Sequence, residues 1–296
     1  MYKLLTSLFL FCFATMVNAQ FLRPEEVDKL DRKKADYVIN YGDDELQFAH
    51  LRLPKNQSKK PHKVVVIIHG GCWYSPYADL NNTEALADAL RDEGYATYNI
   101  EYRRFDNPGG GWPNTLLDCA NALDYLRVIG DKYNLDTTEV VTYGHSAGGH
   151  LALWLAARHK LNKDDELFIN DPLPVKGVLG VGAIADLEEF EKIDTQTCGE
   201  VVVRKLMGGY KEDFPKRYAQ ASPIELLPLG VNQILITGEQ DNIVPMRLGN
   251  DYTKNASEAG DKISHVIIKN SAHHEYNAPN AAPWKEILKS LDKLFN

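Results

Sequence analysis

Cysteine is scarce in this chain, with four in 296 residues, and Cys12 falls in an N-terminal leader that leaves only Cys72, Cys119 and Cys198. An odd count permits at most one internal disulfide and excludes a disulfide framework, and the spacing matches no metal-ligand pattern. Neither a metal nor another cofactor is expected. Basic residues are the minority, 33 against 41 acidic ones for a formal net charge of −8, and they form no stripe. Nucleic acid and anionic lipid are therefore excluded as partners. No internal repeat or low-complexity linker divides the chain, so a single large domain is expected over positions 20–296.

What is present begins with MYKLLTSLFLFCFATMVNAQ, an early lysine, an apolar run from Leu8 to Val17 and small residues before Ala19. This pattern predicts a signal peptide over positions 1–19 and a secreted or periplasmic protein with no membrane attachment after cleavage. The alternative, an uncleaved anchor, is disfavoured because the run is shorter than the roughly 20 residues that span a bilayer. Three N-x-S/T sequons, at Asn56, Asn81 and Asn255, matter only in a glycosylating secretory pathway. A charged lead, Phe21 to Lys34, is expected to be mobile.

Further on, two runs around Gly42-Asp43-Asp44 read as a hairpin. Val64 to Ile68 is continuously apolar, as in a strand buried on both faces of a parallel sheet, and it ends at His69-Gly70-Gly71. Helical spacing over 82–93 and 115–128 alternates with strand-like runs at 95–102, 139–143, 178–184, 233–237 and 263–268, and 284–295 reads as a closing amphipathic helix. The order loosens between Asp186 and Leu227 into short helical pieces, read as a small helical cap. Such alternation predicts an α/β fold, a mostly parallel central sheet with helices on both faces.

The stretch Val140 to Leu153, VVTYGHSAGGHLAL, joins a β-branched run to helix formers through Gly144-His145-Ser146-Ala147-Gly148. That order is the G-x-S-x-G elbow, which lifts a serine hydroxyl clear of its strand and leaves unpaired helix N–H groups facing the same space. A serine hydroxyl needs a base to take its proton and an acid to hold that base. Functional groups of such sheets gather at the carboxyl ends of strands. Two later loops qualify, Gly238-Glu239-Gln240-Asp241-Asn242 and Asn270-Ser271-Ala272-His273-His274-Glu275. Asp241, Glu239 and Asp186 compete as the acid, and His273 and His274 as the base.

Together HGGCW at 69–73, GHSAGG at 144–149, G-x-x-D-x-x-V-P at 238–245 and AHHE at 272–275 resemble the α/β-hydrolase superfamily. Within it the chain is similar to small serine esterases with an H-G-G-x-W motif, a group that includes kynurenine formamidase-like enzymes and feruloyl and acetyl xylan esterases. The resemblance implies Ser146 as nucleophile, Asp241 as acid and His273 as base. It also implies an oxyanion hole from the Ala147 N–H and the Gly70-Gly71-Cys72 loop. Ala272 departs from the glycine usual before that histidine, and His274 stands where the family has an aromatic. Trp73, Tyr74, His150 and His274 are candidates for the substrate pocket, and His69 for a prop of the loop.

The reaction so implied is hydrolysis of small-acyl or aryl-acid esters through an acyl-enzyme, on a small-molecule or carbohydrate-linked substrate. An arylformamidase-type amidase would use the same residues, and a peptidase ranks third. From another class, the chain could be a non-catalytic binding protein on a hydrolase scaffold, although such proteins normally lose part of the triad.

Overall fold

The computed structural model describes residues 21–55 and 60–296. The expected signal peptide and the sequon at Asn56 lie outside the described residues.

Among the described residues eight strands form one sheet: β1 (Tyr37–Asn40), β2 (Phe48–Arg52), β3 (His62–Ile68), β4 (Ala96–Ile100), β5 (Leu135–His145), β6 (Gly177–Val181), β7 (Asn232–Gly238) and β8 (Ile263–Ile268). Their spatial order is β1-β2-β4-β3-β5-β6-β7-β8. From β4 to β8 all neighbours are parallel, and the hairpin expected at the start adds β1 and β2 antiparallel, with Tyr37 opposite Leu51. The central strand β3 explains the absence of alternation in its sequence. Successive side chains of a strand point to opposite faces, and both faces are covered. Val64, Val66 and Ile68 enter one core, with Leu116, Leu123, Trp154 and Tyr252, while Val65 and Ile67 enter the other, with Leu86, Leu90, Leu291 and Leu294.

The helices are α1 (Pro24–Val27), α2 (Asn81–Asp92), α3 (Asn114–Asp124), α4 (Leu126–Tyr133), α5 (Ala147–Ala157), α6 (Leu187–Glu191), α7 (Asp194–Thr197), α8 (Val202–Met207), α9 (Pro215–Ala221), α10 (Met246–Glu258) and α11 (Trp284–Phe295). The helical run expected to stop at Val128 continues to Tyr133 as α4, where Asn134 takes the left-handed conformation that commonly closes a helix. The segment read as a cap holds α6 to α9 between β6 and β7.

The lead from Phe21 is not loose. Val27 is 1% exposed, the Leu22 N–H donates to Glu275 Oε1 at 2.7 Å, and the Lys33 N–H donates to Asp88 Oδ2 at 2.8 Å. Its charged composition suggests solvation, but two backbone N–H groups, one valine and the Asp28 carboxylate, which accepts from Asn82 Nδ2, dock it. Among the described residues no helix is long and apolar enough to cross a membrane.

Candidate active site

Strand β5 runs into α5 through Ser146, held at φ 56°, ψ −118°. Its backbone is fixed from both sides, since the Ser146 N–H donates to the Val181 carbonyl at 3.0 Å and its own carbonyl accepts from His150 N–H at 3.1 Å. The turn needs glycine for space. A Cβ on Gly148 would lie 2.1 Å from the Ile68 carbonyl oxygen, so α5 packs against the end of β3 only because that position has no side chain.

The loops after β7 and β8 meet beside this elbow. Asp241 Oδ2 lies 2.8 Å from His273 Nδ1 and accepts the Tyr276 hydroxyl at 3.0 Å, while Oδ1 accepts the N–H groups of Ile243 and Val244. Burial alone would raise the Asp241 carboxyl, but the charge attraction and hydrogen bond of His273, with the Val244 and Tyr276 donors, hold it below the ordinary aspartate range. One oxygen thus fixes the turn that leads to α10 and the other engages the imidazole. The rival acids are occupied elsewhere: Asp186 caps α6 by accepting the Glu189 N–H, and Glu239 is exposed on the surface.

Ser146 and His273 line one cleft of about 470 Å³, together with Gly71, Cys72, His145 and His274. His274 stands edge-on to His273, with ring centroids 5.3 Å apart, and burial, reinforced by the neighbouring His273, pushes it down to about 4. It therefore faces the cleft as a neutral ring at neutral pH. Trp73, Tyr74 and His150 are not among the cleft's lining residues. Trp73 and His150 are fully buried and pack edge to face at 5.2 Å. His150 also donates through Nε2 to the Ala221 carbonyl. Tyr74 stacks on Phe105 at 5.0 Å beside the loop. Position near the motif brought these aromatics close to the cleft, but their packing turned them into its support.

The loop after β3 is clamped. Gly71, Cys72 and Trp73 have φ of 94°, 53° and 52°, three successive residues in the left-handed region. The His69 ring beneath them has Nδ1 2.9 Å from the Gly70 carbonyl and Nε2 3.0 Å from Glu101 Oε1, and Tyr102 donates to the His69 carbonyl at 2.9 Å. Glu101 also accepts from the Leu80 N–H and pairs with Arg104. Although burial opposes it, these partners bring the Glu101 carboxyl down to about 2. His69 is thus a prop, as expected, held by a carboxylate the motif does not contain. Among the described residues the N–H groups of Gly71, Cys72 and Ala147 have no intramolecular acceptor, which suits them to accept developing negative charge.

A Cys72–Cys198 disulfide joins this loop to the end of α7, 126 positions on, and the Tyr77 hydroxyl donates to the Cys198 carbonyl at 2.6 Å. The Cys72 sulfur is therefore spoken for, and only its backbone can serve the site. In the chain-entropy account, a closure of this length stabilises the fold by about 4–5 kcal/mol. The Cys72→Ser/Cys198→Ser double variant is expected to lose most of that in denaturant unfolding and to lose several-fold in kcat, because the left-handed loop loses its tie to the cap. Wild-type kcat in the double variant would show that the loop holds itself.

A Cβ on Gly71 would meet Ala78 Cβ at 2.8 Å and Ala78 N at 2.9 Å, on a backbone already at positive φ. Gly71→Val should displace the loop and lower kcat by about 100-fold, the scale of one lost oxyanion donor. Stopped assays beside a thermal melt would separate that loss from unfolding.

His145, the variable residue of the elbow, ties these loops together. Its Nε2 lies 2.9 Å from the His273 carbonyl oxygen and so carries the proton. Its Nδ1 then accepts from Asn277 Nδ2 at 3.0 Å. The second hydrogen of that amide goes to Asn82 Oδ1 at 2.8 Å, while Asn277 Oδ1 accepts the Tyr143 hydroxyl. Burial first, then His273 and His274, push the His145 ring well below the usual imidazole range, so this tautomer persists. The sequence motifs assign no role to His145, Tyr276, Asn277 or Glu101. Short spacing from His273 is the sole hint for Tyr276 and Asn277.

Parallel strands, an elbow serine and Asp and His loops at the strands' carboxyl ends define an α/β-hydrolase fold. The profile of the BD-FAE family matches residues 50–255, and the chain belongs to that family. Among curated relatives, it is 25% identical to the esterase LipC of Mycobacterium tuberculosis over 218 residues, 73% of this chain and 53% of that protein. It is also 28% identical to the kynurenine formamidase of Scheffersomyces stipitis over 123 residues, 40% of this chain and 42% of the relative. The chain thus spans about half the length of these relatives or less. A truncated carbohydrate esterase from gut microbiota superposes with a TM-score of 0.71 at 22% identity, covering 89% of this chain and 97% of that one. At that identity the likeness concerns the fold.

Proposed function

We propose that the protein is a secreted serine carboxylesterase that hydrolyses small-acyl or aryl-acid esters through an acyl-enzyme. The observation that carries this reading is the 2.8 Å contact of Asp241 with His273 Nδ1 in a cleft that Ser146 shares. With Nδ1 donating to Asp241, His273 Nε2 is the nitrogen left to take the Ser146 proton. The serine oxygen attacks the ester carbonyl, the oxyanion is received by the N–H groups of Ala147, Gly71 and Cys72, and the protonated His273 returns its proton to the leaving alcohol. Water then repeats the sequence on the acyl-enzyme, with His273 as base again. The esterases among relatives and structural neighbours support the reaction class, and the N-terminal leader supports secretion.

A serine-directed fluorophosphonate should label the wild type and not Ser146→Ala, with p-nitrophenyl esters of rising acyl length as substrates. The formamidase relative favours one second reading, an arylformamidase. It predicts faster turnover of N-formylkynurenine than of any ester in that series.

A further inference from the structure

Three of the residues lining the cleft, Pro24, Glu25 and Asp28, come from the N-terminal segment rather than from the sheet's loops. The segment precedes residue 50, where the family match begins, so its contribution belongs to this chain rather than to the matched region. It is docked onto both flanks of the cleft. On one side the Leu22 N–H reaches Glu275 Oε1 at 2.7 Å, and the second oxygen of that carboxylate accepts the Ala272 N–H at 2.9 Å, next to His273. On the other, Asp28 Oδ1 accepts from Asn82 Nδ2 at 2.9 Å, at the outer end of the hydrogen-bond chain that runs through Asn277 to His145.

The charges the segment places on the cleft's lining are of one sign. Among the described residues Glu25 and Asp28 are the only Asp or Glu lining the cleft, and no Lys or Arg lines it. The adjacent Arg23 is turned to Glu26, 3.5 Å away. Burial holds His145 and His274 below the usual imidazole range, so neither offers a compensating cation at neutral pH. Glu25 is exposed and Asp28 partly so, which places both at the mouth. Ser146, on the same cleft, is 2% exposed, so the segment's two carboxylates lie nearer to solvent than the nucleophile does.

We propose that Leu22–Asp28 is a substrate-selecting wall of the cleft, whose Glu25 and Asp28 carboxylates favour esters with an uncharged or cationic alcohol portion and reject anionic ones. The proposal rests on the esterase reading above. Coulomb interaction across a water-filled mouth is modest and screened by salt, so it shows as a several-fold preference rather than an absolute filter.

Three acetates with the same acyl group test it: neutral 4-nitrophenyl acetate, anionic 4-acetoxybenzoate and cationic (4-acetoxyphenyl)trimethylammonium. Comparing each ester between proteins cancels its intrinsic reactivity. At low ionic strength Glu25→Lys should raise kcat/KM for the anionic ester relative to the neutral one by ~5–10-fold and lower it for the cationic ester by a similar factor, mostly through KM. The isosteric pair Glu25→Gln/Asp28→Asn should move both ratios in the same directions, and about 1 M NaCl, where the Debye length is near 3 Å, should collapse them. Unmoved ratios in variants that melt like the wild type overturn the proposal. A wild type that hydrolyses none of the three overturns the esterase reading instead.

Discussion

Ser146→Ala is expected to abolish ester turnover, by on the order of a millionfold in kcat as when a known serine hydrolase loses its nucleophile, while the protein stays folded. The structural case for an intact fold is specific. The contacts that fix this residue are made by its backbone, through Val181 and His150, and the substitution keeps both of them and the Cβ. Only the hydroxyl oxygen disappears, and with it the proposed route to an acyl-enzyme. The measurement is kcat on the best p-nitrophenyl ester beside a thermal melt. Retention of a tenth of the activity by a protein with a wild-type melt would remove Ser146 from the mechanism.

Much of this arrangement is legible in the sequence because its signals are local. Unbroken apolar runs such as Val64 to Ile68 mark strands covered on both faces, and G-x-S-x-G between a strand and a helix marks a turn that few other residues can make. The serine, acid and base loops follow because they lie at the ends of strands that can be counted.

What stayed hidden depends on pairs far apart in sequence. The bridge between Cys72 and Cys198 spans 126 positions, and a count of three cysteines could only permit it. Glu101 reads as the polar end of a strand, yet it anchors His69 because β4 lies next to β3 in the sheet. Trp73 and His150 carried the chemistry of a pocket and took places in the core, since burying an indole outweighs displaying it beside a loop. The N-terminal lead is hidden for the opposite reason: its charged side chains suggest solvation, but the backbone N–H groups of Leu22 and Lys33, the buried Val27 and the Asp28 carboxylate dock it, and composition does not report such partners.

His273→Ala should be as inactive as Ser146→Ala, whereas His274→Phe should remain active with altered substrate preference. The two rings are neighbours in sequence and both line the cleft, but their partners differ. His273 Nδ1 is engaged by Asp241, and its own carbonyl is held by His145, so ring and backbone are both fixed. His274 stands at right angles to it and is neutral, because burial and the neighbouring His273 outweigh the weaker pull of the Asp241 charge, and among the described residues no carboxylate hydrogen-bonds its ring. Members of a triad act as a unit, so adding His273→Ala to Ser146→Ala should cost little more than either alone. Phenylalanine at 274 keeps an aromatic face on the cleft and removes only the ring nitrogens, so acyl-chain preference is the quantity expected to move. Steady-state kinetics across the acyl series for both variants decide the matter. An inactive His274→Phe together with a normal His273→Ala would exchange the two roles and leave the Asp241 contact as structural.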